Sequence, residues 1–154
     1  MKQYQIVAKH YETKGMKEQA LEVFELMAEL DPDNLASKVK LAELYTREGK
    51  EQEAIDFYLR VAEKLKEQEN TEDLIKIYEK VLKLDRDNIE LTLDLAKNYL
   101  DNGEPKRALA KLQICFKADA KNEFILSLLA QAFTELQQPQ KAKAVYIEML
   151  QVYK

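Results

Sequence analysis

EQEAIDFYLRVAEKLKEQEN, residues 51–70, is the stretch that decides how this chain is built. Elsewhere a tetrad of the form Asp-x-x-Asn marks a regular beat: DPDN at 31–34, DRDN at 85–88 and DAKN at 119–122. The last two are 34 residues apart, and that interval calls for another tetrad at 65–68, where the chain reads LKEQ. The missing beat marks a broken repeat, a domain boundary or a site.

Self-comparison sets the frame. Residues 1–34, 35–68, 89–122 and 123–154 align without gaps. Position 8 is Ala8, Ala42, Ala96 and Ala130; position 20 is Ala20, Ala54, Ala108 and Ala142. Position 11 is Tyr11, Tyr45, Tyr99 and Phe133, and position 15 is Gly15, Gly49, Gly103 and then Gln137. Positions 4, 7, 8 and 11 form one helical stripe and positions 20, 24, 27 and 28 a second, because residues three and four apart are neighbours on a helix. The glycine between them sits where the chain reverses. The alanines let two helices approach closely. Pro105 and Pro139 fall where second helices begin, where a first-turn N–H has no helical partner to lose.

Residues 55–88 complete a further frame, with Tyr58 at position 4, Ala62 at 8, Leu65 at 11, Leu74 at 20 and Tyr78 at 24. Stretch 51–68 therefore reads both as the second helix of one unit and as the first helix of the next. Its apolar arc, widened by Ile55, Phe57 and Leu59, suits a helix contacted on several sides. The expectation is one repeat domain over 1–154, with units 1–34, 35–68, 55–88, 89–122 and 123–154 sharing helix 51–68, and a path that changes there into sub-arcs 1–68 and 71–154. The alternative is a separate domain after 68 with a linker at KEQEN. Nine helices are predicted, over 2–14, 18–30, 35–48, 51–68, 71–84, 89–102, 105–118, 123–136 and 140–153.

Composition agrees. Three glycines and three prolines in 154 residues, beside 46% hydrophobic and 34% charged, favour an all-α chain. No apolar run is long enough to cross a bilayer, and the N-terminal stretch has no signal-peptide core, so a cytoplasmic, non-membrane protein is expected. A formal charge of −4 disfavours nucleic acid as a partner. One cysteine excludes an internal disulfide framework.

The pattern resembles the tetratricopeptide repeat family, on Ala8, Gly15, Ala20, Phe24, Met27 and Pro32 in the first frame, Ala42, Gly49, Ala54 and Tyr58 in the second, and Ala96, Gly103 and Ala108 later. The departures are Tyr4, Lys38, Tyr58, Thr92 and Leu126 where the family often has tryptophan, and Leu74 where it has a small residue. The resemblance implies a right-handed α-solenoid of antiparallel helix pairs, with first helices lining a concave face. It implies a non-catalytic scaffold that binds a peptide or amphipathic helix of another protein.

Carried over by position, the groove residues are Lys9, Val39, Lys40, Glu43, Arg47, Arg60, Leu93, Asp94, Lys97, Leu100, Phe124, Leu128 and Gln131. The apolar members, with Leu59, read either as a strip for a partner or as packing between units. On the first reading, Leu93→Asp with Leu128→Asp removes binding and spares the fold. The carboxylate clamp of one family subset maps to Gln5, Lys9, Lys40, Asp56 and Arg60, where only Arg60 agrees, so that mode is not expected.

No cofactor or metal is expected. His10 is a lone surface histidine, Cys115 reads as a small buried hydrophobe, and DPDN lacks the rest of a calcium loop and reads as a helix terminator. Helix 140–153 ends in Val145, Met149, Val152 and Tyr153 with no polar helix after it. Repeat arrays usually cap such an edge. Either the chain is part of a longer protein, or this edge meets a second subunit in a self-assembling module, or a short protein ends in an amphipathic helix.

Overall fold

A computed structural model describes residues 1–154. It contains nine helices and no strand: α1 (Lys2–Thr13), α2 (Lys17–Leu30), α3 (Leu35–Arg47), α4 (Glu51–Glu67), α5 (Thr71–Leu84), α6 (Ile89–Asp101), α7 (Pro105–Ala118), α8 (Glu123–Glu135) and α9 (Pro139–Val152). Every boundary lies within one residue of its expected place.

The Asp-x-x-Asn tetrads do more than end helices. In each, the Asp backbone N–H closes the preceding helix: Asp31 on Met27, Asp85 on Val81 and Asp119 on Cys115, at 2.8–3.1 Å. The Asn side chain then caps the next one. Asn34 Oδ1 accepts from the Ser37 N–H at 3.0 Å, Asn88 from Leu91 at 3.0 Å, and Asn122 from Phe124 and Ile125 at 3.0 and 3.2 Å. The same Asn amide donates back to the Asp carboxylate, at 2.9 Å from Asn88 to Asp85. One tetrad thus satisfies groups at two helix ends that would otherwise lack partners.

The other junctions share a second geometry. Gly15, Gly49 and Gly103 take φ of +70°, +73° and +74°. Glu69 and Gln137, at the same frame position, take +54° and +57°. In all five turns the following N–H reaches back five residues, from Met16 to Tyr11, Lys50 to Tyr45, Asn70 to Leu65, Glu104 to Tyr99 and Gln138 to Phe133, at 2.7–3.0 Å. This is the left-handed closure of a helix C-terminus. The stretch quoted at the outset therefore makes the same left-handed turn, at Glu69, and no tetrad is needed there.

The chain divides into two compact units, Met1–Asn70 and Thr71–Lys154. In the first, α1 to α4 each pack on the next. Its core holds Ala8, Ala20, Ala42 and Ala54, all 0% exposed, together with the buried Phe24, Met27, Leu41 and Tyr45. In the second, α5 to α9 pack in sequence, and α6 also touches α8. Leu95, Ala96, Ala108, Leu112 and Cys115 are fully buried there, and Ala130 and Ala142 nearly so.

Candidate functional site

The faces presented by the first helices of the hairpins are the candidate site, and each unit has its own. In the first unit, Lys9 on α1 is exposed, Val39, Lys40 and Glu43 on α3 are half-buried, and Arg47 is exposed in the last turn of α3. Lys40 Nζ lies 2.9 Å from Glu12 on α1, tying the two first helices together. Ile6, at a groove position of α1, is 69% exposed. Arg60 stands apart from this set. It stacks over the Phe57 ring at 5.3 Å and lines a cleft with Glu25, Glu29, Lys38 and Tyr45, formed by α2, α3 and α4.

In the second unit, Leu93 and Asp94 on α6 are half-buried, and Lys97 is exposed, 3.3 Å from Asp101. On α8, Phe124 is 46% exposed, and Gln131 donates to Glu135 at 2.9 Å. Leu100 and Leu128, expected on the binding face, are instead core residues, 4% and 5% exposed. The reason is the number of neighbours. α6 packs on α5, α7 and α8, and α8 packs on α6, α7 and α9, so each buries a wider arc than one flanked on two sides. What remains accessible is Phe124, part of Leu93, and a charge set of Asp94, Asp101 and Glu135 against Lys97 alone.

A polar tie between hairpins had no counterpart in the sequence reading. The Tyr45 hydroxyl donates to Glu25 on α2, and the Tyr99 hydroxyl donates to Glu79 on α5 at 2.7 Å. Both pairs join position 11 to position 25 of the preceding frame, twenty residues back. That recurrence, in two frames only, was the available signal. Burial, then the adjacent Glu25 carboxylate, pushes the Tyr45 phenol up to about 12. Burial and Glu79 push Tyr99 up further. Arg107 completes the second tie, pairing with Glu79 and with Glu104 (2.7 Å) and lying 4.3 Å over the Tyr99 ring.

Cys115 is fully buried, and burial raises its thiol pKa, away from the reactive thiolate. His10 is exposed, and no three His, Cys, Asp or Glu side chains gather in a metal-binding arrangement. No helix is long and apolar enough to cross a membrane.

Solved structures with the same fold include MamA, at TM-score 0.57 and 15% identity over 97% of this chain and 89% of that one. MamA from Desulfovibrio magneticus RS-1 matches at 0.55 and 12%, over 99% and 94%. YrrB, described as a TPR protein with an unusual peptide-binding site, matches at 0.56 and 13%, over 97% and 84%. No curated protein matches in sequence. A tetratricopeptide repeat model matches residues 39–71. A second model, described as anaphase-promoting complex, cyclosome, subunit 3, matches residues 67–149, more than half of the chain. Five repeated turns, three repeated caps and these two matches lead to one assignment: the chain belongs to the family described as anaphase-promoting complex, cyclosome, subunit 3, a family of tetratricopeptide-type repeats.

Proposed function

We propose that this chain is a non-catalytic scaffold that binds a segment of another protein along its first-helix faces. The observation that carries the reading is the face of the second unit. Phe124 is 46% exposed in the first turn of α8, and further along α6 and α8 lie three carboxylates, Asp94, Asp101 and Glu135, against one lysine, Lys97. First-helix faces that carry an exposed aromatic at one end and a prevailing negative charge along their length fit an amphipathic helix or extended peptide whose polar side is basic. In the first unit positions 6, 9 and 13 carry Lys9, Lys40 and Arg47 against Glu43, the opposite balance. The printed description of YrrB as peptide-binding supports the mode without naming a ligand.

The test is capture from source-cell lysate with wild type beside a Leu93→Asp, Phe124→Asp double variant, circular dichroism confirming that the variant stays helical. Phe124 takes the place of Leu128, whose burial makes its substitution a test of folding instead. A partner held by wild type and lost by the folded variant supports the reading. Partners held equally by both move the site off this face.

A further inference from the structure

A cleft of about 410 Å³ in the first unit is lined by α2, α3 and α4. It is reached from the 4, 7, 11 stripe of α3 (Lys38, Leu41 and Tyr45), not from the positions that form the first-helix face. The α2 side is acidic, with Glu25 and Glu29; Lys38 on α3 and Arg60 on α4 supply positive charge. Part of this lining recurs in the second unit. Tyr45 bonding Glu25 has its counterpart in Tyr99 bonding Glu79. The rest does not recur. Glu29, Lys38, Phe57 and Arg60 correspond by frame position to Lys83, Thr92, Lys111 and Ile114. Lys38 is the sharpest departure. Other frames hold Tyr58, Thr92 and Leu126 at its position, each no more than 3% exposed. Thr92 satisfies its hydroxyl on the Asn88 carbonyl at 2.8 Å. Lys38 is half-buried, yet neither it nor Glu29 makes a side-chain hydrogen bond or ion pair. Arg60 is engaged by the Phe57 ring alone. A partly desolvated ammonium with no acceptor is a cost that packing does not explain.

We propose that this cleft docks an extended segment of a partner protein in which a basic and an acidic residue are neighbours in sequence. Successive side chains of an extended chain point to opposite sides. The basic one then meets Glu25 and Glu29 on α2, and the acidic one meets Arg60 and Lys38. The stripe from Lys38 to Tyr45 runs about 10 Å along the helix, room for about three extended residues. Small-molecule sites are mostly apolar and enclose their ligand. An open cleft with charges of both signs suits a passing chain instead. This site is separate from the first-helix faces, and it stands or falls without them.

The probe is the capped tetrapeptide Gly-Lys-Glu-Gly, beside Gly-Lys-Lys-Gly, Gly-Glu-Glu-Gly and free lysine. Each is titrated into the isotope-labelled full chain and followed by NMR. The mixed peptide should shift the Arg60 side-chain N–H and the backbone amides around Lys38 and Phe57. It should bind at least about threefold more tightly than either like-charged peptide, which loses one ion pair. Lys38→Gln and Glu29→Gln should each weaken the mixed peptide about two- to fivefold, what one exposed pair contributes. Glu29→Gln should also tighten the all-acidic peptide, a gain that a merely structural role for Glu29 would not give. The proposal is overturned by no saturable shift from any probe, by equal binding of the three peptides, or by variants that bind as wild type does. Free lysine binding as tightly as the mixed peptide overturns it too, by assigning the cleft to a small zwitterion. Shifts confined to the face of Lys9, Val39 and Glu43 do the same. Circular dichroism monitors folding, with Arg60→Gln as the replacement at an exposed site should Lys38→Gln lose helicity.

Discussion

The hydroxyl of Tyr99 and the carboxylate of Glu79 meet at 2.7 Å across α5 and α6, and Tyr45 meets Glu25 in the same way across α2 and α3. Each bond joins the second helix of one frame to the first helix of the next, at a point where apolar packing alone has no directional preference. Tyr99→Phe removes the donor and keeps the ring. It should lower unfolding free energy by about 1.5–3 kcal/mol in urea denaturation, the range for a bond to a charged partner. Arg107→Ala, which removes largely exposed pairs, should cost less, under about 1 kcal/mol. An Arg107→Ala loss larger than that of Tyr99→Phe would assign the strength of the tie to the guanidinium.

The same phenols predict an alkaline limit. The Tyr45 pKa is raised from the ordinary value to about 12 in the folded chain. Below about pH 10 both folded and unfolded chains hold the proton, and the contribution is fully present. Above it the unfolded chain releases its proton first, so stability falls as pH climbs toward the folded value. The melting temperature should drop over this window, and drop less in Tyr45→Phe. Tyrosinate absorbance in the folded protein should show late-titrating phenols; eight phenols titrating together would contradict the burial argument.

Left-handed turns at Glu69 and Gln137 place side chains where glycine is preferred. Gln137→Gly and Glu69→Gly should each stabilise by about 0.5–1 kcal/mol. Gly103→Ala should destabilise by about 1 kcal/mol. No atom lies within 4 Å of the added Cβ, so that loss is conformational and not a clash. Thermal melts of the three variants test the signs independently.

Asn88 serves two helix ends, capping Leu91 and donating to Asp85. Asn88→Ala should cost about 1 kcal/mol, and Asn88→Ser less, because serine still caps. Hydrogen exchange should quicken first at the N–H groups opening α6.

Leu100 and Phe124 separate folding from binding. Leu100→Ala empties a core position and should cost about 2–5 kcal/mol. Phe124→Ala, at an exposed site, should leave the unfolding free energy within about 0.5 kcal/mol of wild type and act on partner capture.

The helices and turns were legible because each is fixed by residues close in sequence. Ala8 with Ala20, Gly15 and the proline at 105 state their roles within one frame. Burial of Leu100 and Leu128 was not legible, since it depends on a third helix reaching α6 and α8, and the stripe of a single helix does not record how many neighbours it has. Arg60 illustrates the same limit. Its frame position suggests a first-helix face, yet its guanidinium lies on Phe57 among residues of α2 and α3. The Tyr–Glu ties escaped notice because two polar residues twenty apart look like ordinary surface chemistry until the fold brings them together.

Every junction in this chain closes on itself. The Asp-x-x-Asn tetrads and the left-handed turns complete their bonds within a few residues, with no help from distant helices. A crossover between two gene copies at one tetrad would therefore deliver intact caps to both products. Such a chain is suited to lengthen or shorten by whole repeats through recombination, each new joint inheriting a working start and a working stop.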